Sequence, residues 1–135
     1  MSTITTPADY QRYAEAFNAR DYDAVFDFYD ENPRMAFFGI EITTRDQLKA
    51  FYSFLHAYVV ETIRVERIAV SDNLCALEGV IRIEATADLT REALDAGGMQ
   101  AFFPIAKGDV QEMRQYIHYH LKNGKIESVG CTLVP

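Results

Sequence analysis

The apolar residues in the first third of the chain recur at helical spacing and predict two helices. Thr6 is the expected N-cap of the first helix and Pro7 its first residue, ahead of an apolar stripe formed by Tyr10, Tyr13, Ala14 and Phe17. Asp21 caps the second helix, which Asn32 and Pro33 stop. The apolar residues of this second helix repeat every three or four positions at Val25, Phe26 and Tyr29.

A third helix is predicted after a short strand pair. Two apolar segments flank Gly39 and favour the strand pair. Thr44 and Gln47 then form a capping box, which marks the start of the helix. The buried stripe of this helix is predicted from residues at intervals of three and four, namely Leu48, Phe51, Tyr52, Leu55 and Val59.

The C-terminal part of the chain predicts an antiparallel sheet. Residues 59–70 and 74–87 are rich in β-branched and apolar residues, and a short turn separates them. Aromatic, aliphatic and imidazole side chains then alternate along residues 115–122, up to Asn123 and Gly124, a dipeptide that favours a two-residue hairpin turn. Because the helices precede the strands, the pattern predicts an α+β domain whose helices cover one face of a curved sheet.

The segment 88–111 is longer than a usual hairpin connection, and we expect an inserted loop or short helix there. Its residues 91–96 favour a turn of helix that ends at Gly97 and Gly98. Four apolar side chains follow, and each would cost roughly 1.5–3 kcal/mol if it stayed in water. We expect them to cover a pocket mouth, a neighbouring subunit or the sheet edge: Met99, Phe102, Phe103 and Ile105.

Length and composition are those of one globular domain, residues 1–135. Hydrophobic residues make up 49% of the chain, which is enough for a core without metal or disulfide crosslinks, and we expect Cys75 and Cys131 to be buried free thiols. A formal charge of −7 without a basic cluster argues against nucleic-acid binding. The sequence has no apolar run typical of a signal peptide or membrane span, so we expect no membrane partner and a cytoplasmic protein.

Three segments resemble a known family: YAEAFNARDYDAVFDFYDENPRMAFFG, ITTRDQLKAFYSFLHA and HLKNGKIESV. They are similar to the SnoaL-like branch of the nuclear transport factor two-like superfamily, across almost the whole chain apart from 88–111. The resemblance implies a cone-shaped α+β fold of the cystatin-like barrel type, in which three N-terminal helices wrap a strongly bent antiparallel sheet around a cavity, and it implies a homodimer. Members include isomerases, cyclases, dehydratases, epoxide hydrolases and non-catalytic binding proteins, so the fold alone assigns no reaction.

The resemblance to ketosteroid isomerase extends to one of its functional positions. Tyr13 matches the tyrosine in the first helix that holds the oxyanion. The position of the acid that moves the proton falls on Phe37, and the late-strand acid falls near Ile117. Since neither residue can exchange a proton, the sequence excludes steroid isomerase activity.

Arg82 and Glu84 resemble the arginine and aspartate with which limonene epoxide hydrolase activates water. Gly130 and Cys131 occupy the region of that enzyme's last carboxylate, so half of its constellation is present. Two interpretations follow for the pair. In the first, which the resemblance favours, the pair faces the cavity and orients a substrate or moves a proton. In the second, it lies on the solvated outer face of the sheet.

His118 and His120 share one face of the predicted hairpin. We interpret them as an outer surface or a dimer contact, and keep a catalytic histidine and a metal site as alternatives. A metal site needs a third ligand, and no spacing ties His56 in the third helix to this strand. We expect no metal and no cofactor, since glycine-rich phosphate loops and nucleophile motifs are absent from the sequence.

The expected function is binding of a small hydrophobic molecule of polyketide, terpenoid or steroid type. In an enzyme we expect cofactor-free acid–base chemistry, in which Tyr13 donates a hydrogen bond to the ligand, Glu84 moves the proton and Arg82 orients it. The alternative is a non-catalytic binding or assembly module. The residues expected to contact the ligand, or else to form a filled core, are aromatic and apolar: Phe17, Tyr29, Phe37, Tyr52, Phe102, Phe103, Ile117 and Tyr119.

Overall fold

The computed structural model describes residues 2–37 and 39–135. Phe38, which falls inside the predicted strand pair, lies outside the described residues. The elements follow one another as α1 (Pro7–Asn18), α2 (Tyr22–Asp27), β1 (Met35–Phe37), β2 (Ile40–Ile42), α3 (Arg45–His56), β3 (Val59–Val70), β4 (Leu74–Ala85), α4 (Arg91–Ala96), β5 (Val110–Lys122) and β6 (Lys125–Leu133).

The helix starts predicted from capping residues are confirmed. The Thr6 hydroxyl accepts from the backbone N–H of Asp9, whose carboxylate accepts from the Thr6 N–H in return. The Thr44 hydroxyl accepts from the N–H of Gln47 at the start of α3. Each cap satisfies backbone donors that have no partner inside the helix.

Two predicted helix ends extend too far. Helix α2 ends at Asp27, so Tyr29 follows it instead of lying within it. The reason is tertiary, because the backbone beyond the helix hydrogen-bonds to β6, with the Ile126 N–H donating to the Phe28 carbonyl at 2.8 Å. Val59, predicted on the stripe of the third helix, is likewise the first residue of β3.

The main sheet is antiparallel and has the order β3-β4-β5-β6, while β1 and β2 form a separate pair. Asn123 and Gly124 both have positive φ, 52° and 77°, as the hairpin turn between β5 and β6 requires. The register shifts at Val65/Arg67 and at His120/Leu121, and such bulges bend a strand. The sheet is curved but not closed into a barrel.

The helices cover the concave inner face of the curved sheet, and the core lies between them. Side chains along β4 alternate, so that Ile81 and Ile83 are buried while Arg82 and Glu84 are half exposed. Cys75 is buried in this core, whereas Cys131 is exposed. The prediction of two buried thiols is therefore wrong for Cys131, which lies near the exposed end of β6.

The segment between β4 and β5 contains α4 and folds back on itself. Leu89 and Ile105 exchange two backbone hydrogen bonds of 2.8 and 3.0 Å, which close the segment at its base. The Arg91 guanidinium donates to the carbonyls of Gln100 and Phe102 and so bridges α4 to the residues that follow it. None of the described helices is long and apolar enough to cross a membrane.

Candidate functional site

A cavity of about 300 Å³ lies between the helices and the inner face of the sheet. Its wall contains Tyr13 together with the residues predicted to contact a ligand or form a core: Phe17, Tyr29, Phe37, Tyr52, Phe102, Phe103, Ile117 and Tyr119. Phe103 and Leu133 line the cavity and are also exposed, so we identify its mouth with these two residues. Pockets that bind small organic molecules commonly have a similar volume and a similarly apolar wall.

Arg82 and Glu84 do not reach this cavity. Their neighbours Ile81 and Ile83 line it, and alternation along β4 therefore directs Arg82 and Glu84 to the outer face. There the Arg82 Nη2 donates to Glu84 Oε1 at 3.1 Å, and both side chains are about 40% exposed. The expectation that the pair faces the cavity is wrong. The residues of β4 that face inwards here are Ile81 and Ile83, one position away from those expected.

Buried tyrosines form two hydrogen-bonded pairs in and behind the cavity wall. The Tyr13 and Tyr29 hydroxyls lie 2.8 Å apart, and so do those of Tyr10 and Tyr119. One O–H of each pair makes the shared bond, so the second O–H of each pair is left to donate to another group. Burial raises the pKa of Tyr13 and Tyr119 well above 10, which keeps both phenols neutral and able to donate.

Tyr52 adds a phenol to the cavity wall that is not paired with another tyrosine. Burial, reinforced by the charge of Glu61, raises its pKa well above 10. Its ring packs edge-on against Phe17 and Phe51, which fixes its direction. Within residues 2–37 and 39–135 no group hydrogen-bonds the Tyr52 hydroxyl, and this O–H is therefore available to a ligand oxygen.

Glu61, on β3, is the one carboxylate among the described residues of the cavity wall. The sequence analysis did not identify it as a candidate. Its Oε1 lies 2.9 Å from Nε2 of His56, whose side chain is only 2% exposed. The other ring nitrogen of His56, Nδ1, lies 2.7 Å from the Tyr22 hydroxyl. A carboxylate, an imidazole and a phenol are thus connected in a row that begins at the cavity.

The tight connection between α3 and β3 brings His56 and Glu61 together. Arg20 bridges this turn by donating to the carbonyls of His56 at 3.0 Å and Val59 at 2.7 Å. The sequence did contain one signal, because Glu61 interrupts an inward-facing apolar alternation between Val59 and Ile63. A charge at such a position is costly to bury unless it has a partner, and His56 is that partner.

The histidines of the hairpin lie on the outer face of the sheet. His118 and His120 are exposed, and the His120 Nδ1 lies 2.8 Å from the Ser128 hydroxyl. Their neighbours Ile117 and Tyr119 face the cavity. Among the described residues no group of three or more potential ligands is placed to hold a metal ion.

Solved structures of several bacterial proteins share this fold. A candidate polyketide cyclase from Silicibacter sp. TM1040 superposes with a TM-score of 0.74 at 20% identity, covering 93% of this chain and 85% of that one. A SnoaL-like polyketide cyclase from Agrobacterium tumefaciens gives 0.71 at 16% identity, with coverage of 97% and 93%. A hypothetical protein with a ketosteroid isomerase-like fold from Catenulispora acidiphila gives 0.69 at 12% identity, with coverage of 95% and 86%.

The sequence was also compared with curated proteins and with models of protein families. No curated protein matches the chain significantly. The family model of the SnoaL-like domain, however, matches residues 10–129, which begin within α1, end within β6 and include the cavity wall up to Val129. With the α+β architecture of the solved structures, this match shows that the chain belongs to the SnoaL-like domain family.

Proposed function

We propose that the protein binds a small hydrophobic molecule with a carbonyl group in this cavity, and that Glu61 moves a proton on it. The observation that carries the proposal is the carboxylate of Glu61 in an otherwise largely apolar wall, hydrogen-bonded to the buried ring of His56. The polyketide cyclase from Agrobacterium tumefaciens that shares the fold supports a compound of polyketide type. A cavity of about 300 Å³ fits a molecule of one to three rings.

The proposed chemistry is enolisation. Glu61 takes the proton from the carbon next to the ligand carbonyl, the C–H bond breaks, and its electron pair moves onto the carbonyl oxygen as an enolate. The Tyr52 hydroxyl, or the spare O–H of the Tyr13 and Tyr29 pair, donates a hydrogen bond to that oxygen. Return of the proton to another atom completes an isomerisation. In a cyclisation the enolate carbon attacks a second carbonyl, whose oxygen then takes the proton back from Glu61.

This proposal changes part of the role assignment made from the sequence. Tyr13 keeps its role as a hydrogen-bond donor, while the proton passes to Glu61 instead of Glu84. His56 positions Glu61 and stabilises its charge by donating from Nε2. The apolar segment that carries Phe102 and Phe103 limits the access of water to the mouth.

A binding module without catalysis is the second candidate, and one observation favours it. Glu61 already has a hydrogen-bonded partner in His56, and such pairs also occur as purely structural features. In that case the cavity holds a ligand without changing it. The two candidates agree on binding and differ on proton transfer, so one experiment separates them.

The experiment begins with a thermal-shift panel of apolar ketones, diketones and lactones of one to three rings. A compound that binds only the folded state raises the unfolding midpoint. Any ketone that does so is then incubated with the protein in D₂O, and proton NMR follows exchange of the hydrogens next to its carbonyl. We expect Glu61→Gln to slow this exchange at least about 100-fold and to leave the thermal shift in place.

The matched control is Glu84→Gln, which removes a carboxylate from the outer face of the same sheet. We expect it to leave both the thermal shift and the exchange rate unchanged. Exchange by Glu61→Gln at the wild-type rate would overturn the role of Glu61. A thermal shift without exchange by the wild-type protein would select the non-catalytic candidate.

A further inference from the structure

We infer that Glu61, His56 and Tyr22 form a proton relay that connects the cavity to solvent through the protein wall. The inference rests on the proposed role of Glu61. Its basis is an unbroken row of hydrogen bonds, 2.9 Å from Glu61 to His56 Nε2 and 2.7 Å from His56 Nδ1 to the Tyr22 hydroxyl. The row begins in the cavity wall and ends at a half-buried tyrosine that does not line the cavity.

The chemistry of the three groups fixes the direction of each hydrogen bond. A carboxylate accepts only, so Glu61 in its charged form requires the proton of a neutral His56 on Nε2. Nδ1 of the same ring is then an acceptor, and the Tyr22 hydroxyl must donate to it. Both bonds therefore point towards Glu61, which is the arrangement that delivers a proton inwards.

One transfer reverses both bonds. The proton on His56 Nε2 moves to Glu61 Oε1, the Tyr22 proton moves to His56 Nδ1, and the Tyr22 oxygen takes a proton from an acid in the solvent. The net result is that one proton has entered from solvent and that Glu61 has gained a proton from His56. In the new state Glu61 donates to Nε2 and Nδ1 donates to Tyr22, so the reverse sequence returns a proton to the outside.

The surroundings of His56 suit a relay of this kind. The Tyr22 ring stacks between Phe26 and His56, with centroid distances of 5.7 and 5.9 Å, and this holds its hydroxyl against Nδ1. Against the His56 ring, α1 contributes the Phe17 ring, and α3 itself contributes the neutral phenol of Tyr52. Arg20 is a further charged residue in contact, and its guanidinium donates to the His56 carbonyl rather than to the ring.

The relay solves a problem that the cavity creates. A ligand that fills the cavity behind Phe103 and Leu133 separates Glu61 from the solvent at the mouth. Glu61 must nevertheless obtain a proton from elsewhere whenever the ligand takes up a proton that Glu61 did not first remove from it. A path through His56 and Tyr22 delivers that proton while the cavity is occupied.

The test measures proton exchange at His56 in the ligand-free protein, so that it does not depend on finding a substrate. The protein is labelled with ¹⁵N-histidine, and NMR saturation transfer measures how fast the ring N–H of His56 exchanges with water. We expect Tyr22→Phe to slow this exchange at least tenfold, because it removes the hydroxyl that carries the proton. An unchanged rate in Tyr22→Phe would overturn the relay.

The matched control is Tyr58→Phe, which removes the hydroxyl of another partly buried tyrosine, one that packs on Phe54 and not on His56. We expect it to leave the exchange rate at the wild-type value. Equal slowing in both variants would show a general change in dynamics and would also overturn the relay. Thermal melts of both variants establish that they are folded at the temperature of the measurement.

A measurement on the wild-type protein keeps the inference testable if Tyr22→Phe does not fold. The ¹⁵N shifts of His56 report which ring nitrogen holds the proton, and the exposed His118 and His120 are assigned by their replacement with glutamine. We expect Nε2 to be protonated and Nδ1 free at high pH, and Nδ1 to gain a proton as the pair takes one up. A proton on Nδ1 at high pH would overturn the relay, whereas proton transfer by Glu61 is tested separately, by the exchange of ligand hydrogens in Glu61→Gln.

Discussion

The two faces of the β3–β6 sheet carry similar residue types in very different surroundings. On the outer face Arg82 and Glu84 pair with each other in contact with water, and Glu112 lies 3.9 Å from the same guanidinium. On the inner face Glu61 lies in an aromatic wall with His56 as its partner. Water screens the outer charges, and such pairs contribute at most about 1 kcal/mol, whereas a charge in an apolar wall acts strongly on whatever lies beside it.

The difference teaches that a charged motif is informative only once its face is known. Arg82 and Glu84 are the more conspicuous pair in the sequence, because they alternate with isoleucines on a strand. Glu61 stands in a segment that carries several other charges, which obscure its place between Val59 and Ile63. The following variants compare neighbouring positions on the two faces.

The largest effect on stability is expected from Ile117→Ala set against His118→Ala. Ile117 is 5% exposed on the inner face, and its truncation should lower the free energy of unfolding by about 2–4 kcal/mol, since apolar contacts are lost and a cavity grows. His118 is exposed on the outer face, and its loss should change the free energy by less than about 0.5 kcal/mol. Urea unfolding measures both, and equal losses would contradict the assignment of the two faces.

A smaller effect is expected from Tyr13→Phe set against Tyr116→Phe. The first change leaves the buried Tyr29 hydroxyl without its 2.8 Å partner, and we expect it to cost about 1–2 kcal/mol. Tyr116 is 44% exposed on the outer face, so removal of its hydroxyl should cost less than about 0.5 kcal/mol. The two unfolding curves should separate clearly, and a larger loss in Tyr116→Phe would contradict the tyrosine pairing.

Alkylation compares two thiols, one buried in the core at Cys75 and one exposed in the cavity wall at Cys131. Burial raises the pKa of the Cys75 thiol to about 12, and we expect no reaction of Cys75 with iodoacetamide in the folded protein. Burial and the charge of Glu61 also raise the pKa of Cys131, but this thiol is exposed at the cavity wall. It should react slowly at neutral pH and faster as the pH rises towards its pKa.

A bound ligand should protect Cys131 because the thiol lines the cavity. We expect a ligand that raises the unfolding midpoint to slow the alkylation of Cys131 at least about threefold, as peptide mass spectrometry measures. A surface thiol outside the cavity would react at the same rate with and without ligand. That result would show that the ligand binds elsewhere.

The smallest effect is expected at the outer-face pair of Glu66 and Arg114. The Arg114 guanidinium donates to the Glu66 carboxylate at 2.9 and 3.2 Å, and this hydrogen bonding lowers the pKa of Glu66 below its ordinary value. A lowered folded-state pKa gives stability that is present above the unfolded-state pKa and is lost as pH falls through the folded-state pKa. Glu66→Gln should therefore lower the unfolding midpoint slightly at pH 7 and not at all in strong acid. A difference that persists in acid would show another cause.

Local patterns were enough to predict the elements of the fold. Capping residues located the starts of α1 and α3, and Asn123 with Gly124 located the β5–β6 turn, because each depends on a few neighbouring residues. The ends of α2 and α3 were predicted less well. After α2 the backbone hydrogen-bonds to β6, and soon after α3 the chain enters β3. The periodicity of a single helix carries no information about these neighbouring strands.

The sequence by itself determined the α+β architecture, the capped helices, the hairpin and the aromatic residues that line the cavity, since hydrophobic periodicity and turn chemistry are local properties. Only the tertiary structure decided which charges lie inside. A shift of one residue exchanges the faces of a strand, so Arg82 and Glu84 lie outside while Glu61 lies in the wall. His56 and Tyr22 join Glu61 because a helix end, a strand start and a second helix meet at one point, and contacts between elements leave no period in the sequence.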